Sequence, residues 1–379
     1  EVGADLAGPA WGIARQRRRA RPVFGPDADR MLFTSDALEQ AGRPELAARR
    51  AARLLAGGAD SVADLGCAAG TDTIALARAG ARVLAVDLDP VARELTAANV
   101  EALGLADDVW VVAGDAVELV AAARGGEVAG CGAAVLDPAR RAGGRRQLDP
   151  DRWSPPWSTV AMLLEKVPTS VVKVAPGLDH ERVPTGIEAE WVSAGGSIVE
   201  ALLWGPAVAA TWRRATLVRD GAVHELTADA DPGHAPVGPV RGWLHEPDPA
   251  LIRSGLMSLV AADLGATLVD PTIAYLSSDA VAGSPALALD GAHHHAVAGA
   301  ERDPFRHRVG VEAVGGALDL QHAGHGDRAP PREGRDRRPS SHGTPLQDGI
   351  AGLPAPPAAQ RLPQAPPSWC RRALDPLGT

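Results

Sequence analysis

Short apolar runs alternate with helix-patterned segments from Ser61 onward, and that alternation limits the fold more than any other feature of the chain. "SVADLG", "RVLAVDLD", "VWVVAGDA", "CGAAVLDP" and "SVVKVAP" read as strands, with "TDTIALARAG" and "PVARELTAANVEALG" as helices between the first three. Strands this apolar need burial on both faces. Strand–helix repeats supply it as a parallel sheet covered by helices on either side. The predicted class is therefore α/β. "EAEWVSAGGSIVEALLWG" and "RRATLVRDGAVHELTA" each break at a glycine-bearing turn, so antiparallel hairpins are expected at the sheet edge.

The flanks read differently. "SDALEQAGRPELAARRAARLLAGG" predicts one amphipathic helix, with Leu38, Leu46 and Leu54 on its apolar side and Gly57-Gly58 as its stop. Residues 1–58 are thus expected to form a helical extension, and 59–245 the sheet domain. Residues 246–284 start with the helix "DPALIRSGLMSLVAADLG", and 285–379 form a low-complexity tail. From Gln321 to Pro345 there is no Val, Ile, Leu, Met, Phe, Trp or Tyr, so that stretch cannot bury enough apolar area to fold. Disorder or a shifted reading frame is the expectation there. His293–295 falls in this region and reads as composition, not as a metal site.

Size and composition (379 residues, 45% hydrophobic) support a real core and more than one domain. A net charge of -9 excludes a global positive field, although "RQRRRAR" (15–21) and "ARRAGGRR" (139–146) are local basic spots. Cys67, Cys131 and Cys370 lie far apart without metal-ligand spacing, which suggests a reducing, cytoplasmic setting and no metal. No membrane-length apolar run or signal peptide is evident. The chain opens on Glu1, and a start upstream is expected.

"VADLGCAAGTDTIALARAG" (62–80) sets a glycine turn between a strand and a helix, which offers helix-terminal amides to a ligand. A nucleoside triphosphate would need Gly-Lys-Ser/Thr at the end of the loop, which is absent. A dinucleotide would need glycine where Ala68 and Thr71 stand. S-adenosylmethionine fits better. Asp64 at the loop entrance would attract its ammonium, directly or through water, and would repel a pyrophosphate. Gly66, Ala68 and Gly70 would line the turn, Asp87 would accept the ribose hydroxyls, and Asp115 would accept the adenine amine. Taken singly, Asp87 or Asp89 could cap the following helix and Asp115 could be a turn residue. In order along one sheet edge, the acids favour the cofactor.

"DLGCAAGTDTIALARAGARVLAVDLDPVARELTAANV" resembles motifs I and II of class I S-adenosylmethionine-dependent methyltransferases, which implies a Rossmann-like sheet. Residues 12–280 resemble a bacterial methyltransferase family with a THUMP-like C-terminal domain. That likeness rests on "FGPDADRMLFTSDALEQAGRPELAARRAARL", "LDPARRAGGRR", "VVKVAPGLD" and "WLHEPDPALIRSGL". In that family the THUMP-like segment would follow near residue 280 and supply RNA contacts, which makes 246–284 its helical start, but the residues after "IAYLSSDA" do not read as one. The glycine loop is also similar to the trimethylguanosine synthase group, which methylates an exocyclic guanine amine of RNA caps. Ala68 and Thr71 depart from the usual glycines, and Ala68 adds a methyl group facing the cofactor.

"LDPARRAGGRR" follows the fourth strand, where the resemblance implies the acceptor site. Asp137 and Pro138 match the start of an Asp/Asn-Pro-Pro-aromatic motif, while Ala139 and Arg140 replace its end. Asp137 would orient the acceptor or take its proton, and Arg140 would grip the substrate. The segment "VVKVAPG" at the fifth strand carries no cysteine, which disfavours covalent attack on a pyrimidine. Trp153 and Trp157 are base-stacking candidates, although a loop that folds them over the sheet fits somewhat better. Lys173 is either paired with an acid or a substrate contact. The expectation is direct SN2 methyl transfer to RNA. The alternatives are a non-catalytic S-adenosylmethionine- or RNA-binding scaffold and, more remotely, a dehydrogenase.

Overall fold

The computed structural model describes residues 4–142, 145–279 and 294–296. The expected tail, Cys370 and His293 lie outside the described residues, apart from one short strand noted below. The chain opens with α1 (Ala4–Phe24), α2 (Ser35–Gln40) and α3 (Pro44–Ala56). The single helix expected here is broken. Pro44 has no N–H and forces Arg43 into an extended conformation at φ -81°, ψ 127°, so residues 41–43 form a link between two helices.

Strand–helix units follow: β1 (Ser61–Leu65), α4 (Thr71–Arg78), β2 (Arg82–Asp87), α5 (Pro90–Leu103), β3 (Val109–Ala113), α6 (Ala116–Ala122) and β4 (Ala133–Leu136). A small hairpin, β5 (Arg141–Ala142) and β6 (Arg145–Arg146), leads to α7 (Trp157–Lys166) and β7 (Ser170–Val174). Next come β8 (Glu188–Ala194), β9 (Ser197–Trp204), β10 (Arg213–Arg219) and β11 (Ala222–Ala228). The last elements are β12 (Trp243–His245), α8 (Pro249–Ser254), α9 (Met257–Asp263), β13 (Thr267–Asp270), β14 (Ile273–Ser278) and β15 (His294–Ala296).

The main sheet has the order β11-β10-β8-β9-β7-β4-β1-β2-β3. Its β3-β2-β1-β4-β7 half is wholly parallel, as the alternation predicts. Both expected hairpins form, turning at Gly195-Gly196 and at Asp220-Gly221. The first is folded inward: β9 lies antiparallel between β7 and β8, and β10 joins β8 in parallel.

Alternate side chains of the central strands enter two cores. Ala63, Leu65, Leu84, Val86, Ala134 and Leu136 pack on one face with α6, α7, α8 and α9. Val62, Val83, Ala85, Ala133 and Val135 pack on the other with α1, α3 and α4. The apolar runs are continuous because neither face of these strands meets water.

The helix expected over 248–265 divides into α8 and α9 at Gly255, which sits at φ 78°. The expected boundary after residue 245 falls inside a second sheet of order β13-β14-β12-β15, because β12 pairs with β14. Strand pairing therefore carries residues 243–245 into the C-terminal unit.

Candidate active site

A cavity of about 700 Å³ opens at the carboxyl ends of β1, β2, β3 and β4, where open parallel sheets bind their ligands. At one end lies the glycine loop. The N–H groups of Gly66 and Cys67 both donate to the Val86 carbonyl, at 2.9 and 3.1 Å, and tie the loop to β2. Gly66 sits at φ 90°, and a side-chain carbon added there would come within 3.2 Å of the Asp137 carbonyl oxygen. At Gly114 an added carbon would come within 2.9 Å of the Val86 side chain, at Cγ1. Ala68 holds a left-handed conformation (φ 51°) that favours glycine. It is fixed by the Thr96 hydroxyl, which donates to its carbonyl at 2.9 Å.

Asp87 ends β2 on the cavity wall. One oxygen accepts the Ala68 N–H and the other the Asp89 N–H, each at 3.0 Å. Capping of α5 falls instead to Asp89, which accepts the Val91 N–H at 2.9 Å. Asp115 caps α6 through the Val117 N–H at 2.7 Å and also lines the cavity. Beside these acids two apolar side chains remain open, Leu88 at 64% and Val117 at 40% exposure. They form walls suited to a flat purine. The signal for them was short: an apolar residue directly after, or two after, a strand-end acid.

Asp64 and Gly70 are not brought to the cavity surface. Asp64 is 2% exposed and accepts the Thr73 hydroxyl of α4, so direct contact with a ligand ammonium is not offered. Burial, reinforced by Asp72 and Asp137, pushes its carboxyl up to about 7, against Thr73 and Lys173. Gly70 serves as the left-handed residue before α4, at φ 84°.

The opposite end is built from side chains that are remote in sequence. Asp137 and Arg140, both half-buried, line the cavity with Pro138. Lys173 on β7 forms an ion pair with Asp137 and lies 3.6 Å from Asp72 of α4. Arg50 of α3, 1% exposed, binds Asp72 at 2.7 Å and Glu200 of β9 at 2.7 Å. Burial pushes the Lys173 ammonium down, but Asp137 and Asp72 outweigh it and leave it raised. For Asp72, burial is likewise outweighed by Arg50 and Lys173, and its carboxyl is lowered. Lys173 is thus a paired interior cation at the cavity, not an isolated one.

The break before Pro44 has a consequence at this end. Glu39, Gln40, Ala41, Gly42, Arg43 and Leu46 all line the cavity. A carbon added at Gly42 would lie 3.5 Å from Lys173 Nζ. Asn99 secures the extension from below: it accepts the Leu32 N–H at 2.6 Å and donates to the Ala69 carbonyl at 2.9 Å.

Ala139 and Ser154 exchange two backbone hydrogen bonds, at 2.7 and 3.0 Å, and bring Ser154, Pro155 and Pro156 to the cavity. Trp153 itself is 3% exposed, and its ring N–H donates to the Gln147 carbonyl at 3.1 Å. It belongs to the core and is no stacking surface, and Trp157 packs partly buried against the same core.

The site has a bare turn, a ribose-type acid, apolar walls and no cluster of metal ligands among the described residues. That donor set fits S-adenosylmethionine. Residues 59–137 match the family described as RNA cap guanine-N2 methyltransferase. Uncharacterised S-adenosylmethionine-dependent methyltransferases from two strains of Mycobacterium tuberculosis are 35% identical over 281 residues, which span 69% of this chain and 72% of theirs. The chain belongs to the S-adenosylmethionine-dependent methyltransferases. The fold of this methyltransferase is shared with a crystal structure assigned as a methyltransferase from Porphyromonas gingivalis W83. That likeness has a TM-score of 0.58 and 18% identity, covering 74% of this chain and 73% of that one. S-adenosylmethionine is its cofactor, and Asp87, Leu88, Asp115, Val117 and the Gly66–Ala68 turn are the residues suited to hold it. Among the described residues no helix is long and apolar enough to cross a membrane.

Proposed function

We propose that this methyltransferase acts on RNA and methylates an exocyclic amine of a base. The observation that carries the reading is the Asp137 carboxylate, 29% exposed on the cavity wall and held there by Lys173. When bound, S-adenosylmethionine supplies an electrophilic methyl group, and the enzyme's main task is to align an acceptor with it. Asp137 accepts a hydrogen bond from the amine and turns the nitrogen lone pair toward that methyl. Once the sulfonium methyl had passed to the nitrogen, Asp137 would take the proton that the amine gives up. Arg140 lines the same wall and is suited to a phosphate or a base edge.

The match to a family described by its RNA cap guanine substrate supports the amine as acceptor. We assign α8, α9 and the small sheet to the start of a THUMP-like region. We also assign the protein to the cytoplasm, where Cys67 and Cys131, both buried and unpaired, would stay reduced. The test is labelled methyl transfer from S-adenosylmethionine to total RNA, followed by mass spectrometry of the nucleosides. The expected product is an N-methylated base, formed by the wild type and not by Asp137→Ala. Label that enters no RNA would overturn the reading.

A further inference from the structure

A cavity of about 700 Å³ holds one drug-sized ligand or a little more, so most of an RNA substrate must run across the outer surface. The molecule carries a net charge of -9, with local basic spots at 139–146 beside the cavity and on α1. α1 is the longer element of the two. From Trp11 to Phe24 it has five arginines and no acid.

Those arginines divide between two sides of the helix. Arg17 donates to the carbonyls of Met31 and Arg30, at 2.9 and 3.1 Å, and Arg21 forms two 2.8 Å bonds to Asp29. With Ala20 and Phe24, both buried, they fasten α1 to the rest of the fold. Trp11, Arg15, Arg18 and Arg19 occupy the other side, within an arc of about 100° at 3.6 residues per turn. Trp11 is 75% exposed, and Arg15 and Arg18 are exposed with no acid within ion-pair distance among the described residues. A carbon added at Gly8 or Gly12, on the same side, meets nothing within 4 Å. An open indole among arginines is poorly suited to a merely solvated face, since solubility needs no exposed tryptophan.

The stripe ends at the cavity. Arg19 donates to Ser35 Oγ at 3.1 Å and lies 3.6 Å from Glu39, which lines the cavity rim. From Trp11 to Arg19 the helix rises about 12 Å, enough for three or four phosphates at the ~3.4 Å axial spacing of a stacked strand. We propose that this face of α1 is a docking surface for the single-stranded RNA that flanks the acceptor base, with Arg15 and Arg18 on phosphates and Trp11 stacked on a base. The inference rests on RNA being the substrate.

The test uses the full chain and a single-stranded RNA oligonucleotide of mixed sequence, with binding read by fluorescence anisotropy across a salt series. For Arg15→Ala/Arg18→Ala, the slope of log affinity against log salt should fall by about 1.4, at roughly 0.7 per lost phosphate contact. Trp11→Ala should weaken binding about tenfold while leaving that slope unchanged. Both variants should keep the wild-type melting temperature and S-adenosylmethionine affinity, and should raise KM for RNA more than they lower kcat. If the wild type methylates RNA and both variants keep its RNA affinity and slope, this surface is wrong while the substrate reading stands. If the wild type neither binds nor methylates RNA, both fall.

Discussion

The two ends of the cavity are built on different principles. At the cofactor end, three short loops after β1, β2 and β3 do the work, and their acids are fixed by nearby backbone N–H groups such as Ala68, Asp89 and Val117. At the opposite end, where we propose the acceptor binds, Asp137 is held by a chain of buried charges drawn from α3, α4, β7 and β9. A loop closed by its own backbone tolerates change elsewhere in the protein. A carboxylate held by Lys173, Asp72, Arg50 and Glu200 does not, because each of those charges is buried and depends on the next.

The contrast predicts where damage spreads. The largest effect should come from Asp137→Asn, which keeps size but removes the proposed proton acceptor. Its kcat/KM should fall by about 10²–10⁴ while S-adenosylmethionine affinity, measured by calorimetry, stays at the wild-type value. A matching fall in cofactor affinity would mean that the two ends are not separate. Arg50→Met removes no group from the cavity, yet it takes from the buried Glu200 its ion-pair partner and leaves the buried Asp72 with Lys173 alone. It should lose about 3–5 kcal/mol in urea unfolding, whereas an exposed control such as Arg18→Met should lose almost nothing.

At the cofactor end the expected losses are local. Asp87→Ala removes a charged hydrogen-bond acceptor, typically about 1.5–3 kcal/mol, so cofactor affinity should drop by about 10–100-fold with stability little changed. Asp64 sharpens the comparison because it stands between the ends. Its carboxyl, raised to about 7, is protonated in mildly acid solution and ionised in mildly alkaline solution. An acid with a raised folded pKa favours folding at low pH and loses that contribution as pH rises from about 4 to about 7. Cofactor binding should run the other way. A cationic ligand prefers the ionised form, so affinity should rise between pH 6 and pH 8, by up to about tenfold for each unit by which binding lowers the pKa. Asp64→Asn should flatten that dependence, and an unchanged slope would remove Asp64 from the account.

The same contrast explains what could be read from the sequence. The parallel strands, the glycine turn and Asp87 and Asp115 were legible because each depends on neighbours within a few residues. The inward fold of β9 was not, since a hairpin signal says that two strands pair and not which of them faces the sheet. The link at 41–43 was missed because the apolar spacing of Leu38, Leu46 and Leu54 continues smoothly across Pro44. Arg50 did leave a trace. It lies four residues after Leu46 and four before Leu54, a charge on the buried stripe of an amphipathic helix. A cation in that position demands a buried acid elsewhere, but nothing local could indicate Asp72 and Glu200 as its partners.

The smallest expected effect concerns Ala68, where the glycine loop departs from the usual pattern. At φ 51° its methyl group costs about 1–2 kcal/mol in the left-handed region, partly offset because alanine is less free than glycine in the unfolded chain. Ala68→Gly should therefore gain about 0.5–1 kcal/mol in urea unfolding. Because Ala68 lines the cavity, the same change should also tighten cofactor binding. Ala129, also at φ 51° but buried in the core away from the cavity, provides the control. Ala129→Gly relieves the same kind of strain and should leave cofactor affinity untouched. If Ala68→Gly stabilises the fold without improving binding, the methyl group strains the loop but does not crowd the ligand. In that case this departure reflects the loop's own conformation and says nothing about a weakened site.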